Sequence, residues 1–205
     1  MVMIKKILIA AVLSICYITS FAQPDELIKE IEQYHKELNE EFANPEESPL
    51  TEEDLKTFTS LDFFPIDLKY RVEAKFVRTP GQKPFKMATT TTRSPIYEKY
   101  GEAHFELDSQ KFVLEIYQSH ELRETEEYKN YLFLPFTDLT NGEESYGGGR
   151  YLGLTIPEGD SIILDFNKAY NPYCAYNKKY SCPIVPRQNR IRTEVLAGVK
   201  AFKKH

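Results

Sequence analysis

In several runs between residues 68 and 166 the apolar side chains recur at every second position, and no other feature constrains the fold as much. Tyr70, Val72, Ala74 and Phe76 alternate with Arg71, Glu73, Lys75 and Val77. Ala103, Phe105 and Leu107 alternate with His104, Glu106 and Asp108, and after Asp108-Ser109-Gln110 the pattern resumes at Phe112, Leu114 and Ile116. Successive side chains of a strand point to opposite faces, so these runs read as half-buried strands, the last two joined as a hairpin. Residues 131–136, 150–156 and 161–166 supply three more strands, and the threonine-rich run 87–92 suits a pleated surface. Turn signals lie at Thr79-Pro80-Gly81 and Pro157-Glu158-Gly159-Asp160. With tight turns and no long helix between strands, the sheet should be antiparallel. The expected fold is therefore mainly β, an antiparallel β-barrel or sandwich with two N-terminal helices and a long C-terminal loop segment.

The helices come first. Leu27, Ile31, Tyr34, Leu38 and Phe42 fall on one helical face, which Asn44-Pro45 ends. Thr51 can cap a second, short helix with Asp54 three residues on. Residues 23–64 read as a helical brace, and 65–205 as the β-rich domain. Ahead of both, residues 1–22 have the form of a secretory signal peptide: Lys5 and Lys6, an apolar core over 7–18, and a small-residue site at Ser20-Phe21-Ala22. Cleavage near Ala22 would leave a secreted or periplasmic chain. That core is shorter than the ~20 residues a membrane span needs, and no later run approaches that length, so no membrane span is expected in the mature chain.

The formal net charge is -5, and losing Lys5 and Lys6 takes it two units lower, which gives no basis for a nucleic-acid partner. Carboxylates dominate 25–54 and bases 178–204, read as two solvated faces of opposite sign.

The residue types that can do chemistry concentrate between 135 and 189. Gly147, Gly148 and Gly149 lose much backbone entropy on ordering, and they let backbone N–H groups approach another group closely. With Tyr146 before them and Arg150 after, the loop could hold an anion by backbone amides and a guanidinium fork, although its glycines match neither a P-loop nor a dinucleotide pattern. Asp138 and Asp165 sit at strand ends, as turn-formers, as an acid–base pair, or as partners of Arg150. Asn167, Asn171 and Asn189 add amides, and Tyr170, Tyr173, Tyr176 and Tyr180 surround them with aromatic bodies that pack the loop or line a pocket. The ligand-binding candidates are therefore Asp138, Tyr146, Gly147, Gly148, Gly149, Arg150, Asp165, Asn167 and Asn171.

After the leader, Cys174 and Cys182 are the remaining cysteines. In an oxidising compartment they could form a disulfide contributing roughly 2.5 kcal/mol in the chain-entropy model. Alternatively Cys174 is a reactive thiol. No zinc-type spacing is present, so no metal is expected, and no cofactor is implied.

The strings FLPFTDLTNGEESYGGGRYL and LDFNKAYNPYCAYNKKYSCPIVPRQNR, with Ala197-Gly198 before Val199, resemble a bacterial family of proteins, domain of unknown function 1684. The resemblance spans most of the mature chain and is strongest over 133–190. It implies a single compact β-rich domain and brings no established activity. It also implies that members without a leader carry both cysteines, which leaves disulfide, thiol role and simple packing all open.

Three functional expectations result. The first is a domain that binds a polar or anionic small molecule at the Gly147–Arg150 loop, anchored by Arg150. The second is a hydrolytic enzyme with Cys174 as nucleophile. The third is a structural domain in which the 135–189 motif is a folding clamp.

Overall fold

The computed structural model describes residues 24–202. The leader expected over 1–22 lies outside the described residues. Helix α1 (Pro24–Ala43) begins and ends where its apolar face and Asn44-Pro45 require, with Asp25 and Glu26 in the first turn opposing the helix dipole. Helix α2 (Glu52–Thr57) is capped by Thr51, whose hydroxyl accepts the Asp54 N–H at 3.1 Å.

Seven strands form one antiparallel sheet: β1 (Arg71–Arg78), β2 (Phe85–Lys86), β3 (Ile96–Leu107), β4 (Gln110–Ser119), β5 (Tyr131–Phe136), β6 (Arg150–Thr155) and β7 (Ser161–Asp165). The order is β6-β5-β4-β3-β1-β7, with β2 beside β3. The sheet curls into a half-barrel rather than a closed barrel, with β6 and β7 as its ends. The β3–β4 hairpin turns through Asp108 and Ser109, both at positive φ (49° and 61°), as a two-residue turn matched to strand twist requires.

Two strand expectations need correcting. β3 starts at Ile96, well before the alternating run at Ala103, and a register shift lies between Lys99 and Gly101. The segment 96–102 is charged, but it finds partners across the sheet: Lys99 donates to Glu102 and to Glu115 of β4. Residues 87–92 are not a strand of the sheet. Their hydroxyls and backbone bond the C-terminal segment instead: the Thr90 N–H donates to Cys182 O (2.9 Å), the Cys182 N–H donates to Thr90 Oγ1 (3.1 Å), and Thr91 Oγ1 lies 2.6 Å from Ser181 Oγ.

Both faces of the sheet are covered. Along β5, Leu132, Leu134 and Phe136 point into the main core with Leu114, Ile116 and Leu164, and the C-terminal residues Ile191, Val195 and Ala197 complete it. The opposite face carries a second cluster of Tyr97, Tyr117, Phe133 and Tyr151 with Met87. A third joins α1 and the C-terminal segment through Phe42, Leu50, Leu61, Tyr176 and Val199. Truncating a fully buried leucine such as Leu134 would cost about 2–5 kcal/mol.

A tyrosine cleft beneath the N-terminal helix

On the second face of the sheet, α1 and the segment 170–183 leave a cleft of about 630 Å³. Its wall from α1 carries Tyr34, Glu37, Leu38, Glu41 and Phe42, positions three and four apart that share one side of the helix. Its floor is Tyr97 of β3, Tyr131 and Phe133 of β5, and Tyr151 of β6. Tyr128, Tyr170, Asn171, Tyr173 and Tyr180 close the remaining sides.

The sheet pleat makes this floor. Tyr131 and Phe133 are two apart and face outward while Leu132 and Leu134 face the core. Gly153 lies opposite Phe133, and a Cβ there would sit 3.0 Å from Cε2 of Tyr131, so the missing side chain gives the Tyr131 ring its place. Tyr170 is pinned by a two-way backbone exchange with Tyr151 (2.9 and 3.1 Å). The rings pack edge to face, Phe133 on Tyr151 at 4.7 Å and Tyr151 on Tyr170 at 5.8 Å.

The hydroxyls are mostly engaged within the protein. Tyr131 and Tyr170 pair at 3.2 Å, Tyr151 donates to Pro183 O, and Tyr173 donates to Glu41. Burial pushes the Tyr97 phenol up to about 12, and those of Tyr34, Tyr151 and Tyr170 higher still, so these tyrosines stay neutral. Asn171 is the exception to this satisfaction. Its Nδ2 donates to Lys200 O (2.8 Å) and Tyr176 Oη (3.3 Å), while its buried Oδ1 has no partner.

The residues singled out from sequence divide differently. Arg150 and Asp138 form an ion pair of 2.8 Å in which neither side chain is exposed to solvent. The guanidinium also donates to Val195 O (2.7 Å) and Ala197 O. Asp138 Oδ1 accepts from the Thr140 N–H (2.9 Å), the Thr140 hydroxyl (2.7 Å) and the Val195 N–H (3.2 Å). Arg150 thus ties the loop after β5 to the C-terminal segment. This corrects the expectation of an exposed anion anchor: a ligand would have to displace bonds that hold the core closed.

The glycines serve the same closure. Gly149 has φ +91°, and a Cβ there would lie 2.6 Å from Phe136 O. The Tyr146 ring rests over Gly148, and Gly147 lies beside Gly142. Asp165 Oδ1 accepts from the backbone and side chain of Asn167 (3.1 and 2.9 Å), and its Oδ2 pairs with Arg71 at 3.5 Å. Asn167 in turn exchanges two 3.0 Å bonds with the backbone of Asp67. Asn189 does likewise between strands: it accepts from Glu115 N–H and donates to Glu115 O and Pro135 O, all at 2.8 Å. β4 and β5 pair only at Tyr117–Phe133, so the Asn189 amide fills the gap beside that pair as a backbone unit would.

Cys174 and Cys182 are both free thiols. Cys182 is buried and its Sγ accepts the Cys174 N–H at 3.1 Å, while its backbone is held by Thr90. No disulfide joins the two in this structure, where the Cys182 sulfur is used as a hydrogen-bond acceptor in a packed turn. The Cys182 thiol bonding to its sulfur, with help from Tyr146 at 3.9 Å, lowers the Cys174 pKa to about 6. The Cys182 thiol is pushed up by the same bond and by burial, so the pair sheds one proton readily and holds the second. Cys174 lines a separate cleft of about 590 Å³ with Tyr146, Thr90 and Lys178. The histidines among the described residues lie elsewhere: His35 against Asn167 O, His104 against Glu102 and His120 against Glu98.

Residues 56–200 match the family described as "Protein of unknown function (DUF1684)". The chain belongs to this family. The solution NMR structure of an uncharacterized protein of Haloarcula marismortui is similar at 32% identity, with a TM-score of 0.68, covering 88% of this chain and 97% of that one. No match was found among curated proteins. The DUF1684 match begins inside α2 and takes in the strands, the Arg150 clamp and the cleft floor, whereas the α1 wall with Glu37 and Glu41 precedes it.

Sequence reading missed most of this cleft. It treated α1 as a brace and did not single out Tyr97, Tyr128, Tyr131 or Tyr151. One signal was present: β5 reads Tyr-Leu-Phe-Leu-Pro-Phe, apolar on both faces, which calls for cover on both sides of the sheet. Another was composition, with 14 tyrosines and no tryptophan. Among the described residues no group of histidines, cysteines and carboxylates is arranged to hold a metal, and no helix is long and apolar enough to cross a membrane.

Proposed function

We propose that this protein binds a small organic molecule in the tyrosine cleft between α1 and the outer face of β5–β6. One observation carries the reading: a concave site of about 630 Å³ is walled by tyrosine rings, with Glu37, Glu41 and Asn171 among its few polar lining residues. Ligand sites have this composition, a largely apolar wall with a few placed polar groups. On this reading the 135–189 motif is the frame: Arg150, Asp138, Asp165, Asn167 and Asn189 fix the segments that present the cleft. The leader read over 1–22 supports export, so the ligand would be met outside the cytoplasm.

The test is a screen of aromatic and aliphatic fragments by amide chemical-shift mapping. Hits should perturb Tyr131, Tyr151 and Tyr170, and Tyr128→Ala should weaken them roughly two- to tenfold, since Tyr128 is 38% exposed and contributes one edge-to-face ring. Hits that gather at residues 147–150 and ignore Tyr128→Ala would reject the cleft.

A second reading rests on a separate observation, the low pKa and partial exposure of Cys174 at its own cleft. It makes Cys174 a reactive thiol. The hydrolytic version also needs a general base, and the histidines among the described residues are engaged elsewhere.

A further inference from the structure

We infer that the occupant of the tyrosine cleft is an organic cation, an ammonium group carried on an apolar body. This rests on the cleft being a binding site and goes on to name its ligand class.

The argument begins with charge. Among the described residues that line the cleft there is no lysine, arginine or histidine, and its charged groups are Glu37 and Glu41. They stand one turn apart on α1. Like charges at this spacing destabilise a helix, and neither forms an ion pair among the described residues. Gln33 donates to Glu37 at 2.8 Å and Tyr173 donates to Glu41, so both are oriented by neutral donors, and their charge is left for something that enters. An anion would meet two carboxylates without a counter-charge.

The walls add to this. Tyrosine rings present negative faces, and a cation set among several is attracted to each. The hydroxyls of Tyr131, Tyr151, Tyr170 and Tyr173 are engaged with protein partners, so what these residues offer an occupant is mainly ring. Carboxylates at the helix wall and neutral rings both favour a positive charge.

The experiment titrates the full chain with three probes of one shape, read by amide chemical shifts: phenethylamine (a cation at neutral pH), 2-phenylethanol (neutral) and 3-phenylpropanoate (an anion). Phenethylamine should shift the cleft amides and bind roughly tenfold tighter than the alcohol, with the carboxylate weakest. The double variant Glu37→Gln, Glu41→Gln should bring amine and alcohol to within about threefold, whereas Glu32→Gln on the far side of α1 should leave the preference unchanged. If the alcohol or the carboxylate shifts the same amides at equal or lower concentration than the amine, the cation is refuted and the cleft stands. If none of the three shifts cleft amides at millimolar concentration, cleft and cation fail together. A free amine and a lysyl side chain share this chemistry, so a fourth probe, N-acetyl-lysine N-methylamide, separates them. Binding tighter than phenethylamine assigns a protein side chain as the source, and weaker binding a free amine.

Discussion

Replacing Arg150 by methionine should cost the fold about 3–5 kcal/mol, the range for breaking a buried ion pair from one side. The structure shows where the cost arises. The guanidinium has no exposed surface and donates to Asp138 Oδ2 at 2.8 Å, to Val195 O at 2.7 Å and to Ala197 O. Methionine fills much of the volume but donates nothing. Asp138 keeps its three donors on Oδ1, yet its charge stays buried with Oδ2 uncompensated, and two carbonyls lose their donor. Against a typical total of about 5–15 kcal/mol, that loss is roughly a fifth or more of the stability. At about 2–4 °C per kcal/mol for a domain of this size, the melting midpoint should fall by roughly 6–20 °C. Urea unfolding followed by circular dichroism would show a lower midpoint with an unchanged slope. The double variant Asp138→Asn, Arg150→Met removes both charges, keeps an acceptor for the Thr140 and Val195 donors, and should be more stable than Arg150→Met alone, which also guards against a single variant that does not fold. The reasoning is refuted if Arg150→Met stays within about 1 kcal/mol of the wild type, or if the cycle shows no coupling between the two positions.

Other consequences are equally direct. Gly149→Ala places a side chain at φ +91° against Phe136 O and should destabilise by about 1–3 kcal/mol in the same urea assay; a neutral result would mean the turn relaxes freely. Alkylation of Cys174 should titrate with a midpoint near about 6 and be flat by pH 8, and Cys182→Ala should move that midpoint upward by removing the thiol that bonds the sulfur; an ordinary midpoint near about 8.5 would contradict the geometry. His35 stacks on Phe63 at 3.8 Å, and burial lowers its pKa despite the 2.7 Å contact with Asn167 O. The unfolded ring then protonates first, so this contribution is complete above about pH 6.5 and is lost as pH falls through the lowered folded value. His35→Gln should flatten that part of the stability profile, and an unchanged slope would assign it to another group.

The sequence carried the local structure because period and punctuation act locally. Alternation placed β1, apolar runs between turn signals placed β5, β6 and β7, the Asp108–Ser109 break placed the hairpin, and Thr51 with Asn44-Pro45 bounded the helices. It carried the family as well, through the strings around Arg150 and Cys174. Residues 96–102 were illegible as a strand because they lack an alternating apolar pattern and their charge is satisfied by a partner on the neighbouring strand β4. Residues 87–92 were misread because β-branched hydroxyls suit a pleat and a cross-chain bond equally, and a segment some ninety positions later decided between them.

What a polar residue does was decided by tertiary structure alone. Arg150, Asp138 and the glycine triplet have the composition of an anion site, but burial among Val195, Ala197 and Phe136 turns them into a closure of the core. The cleft, by contrast, gathers side chains from α1, three strands and the C-terminal segment, elements spread over some 150 positions of the chain. Periodicity says which face of an element is apolar. Which faces meet, and whether they close completely or leave room, follows from packing across the whole chain, and here the incomplete closure lies between α1 and the outer face of β5.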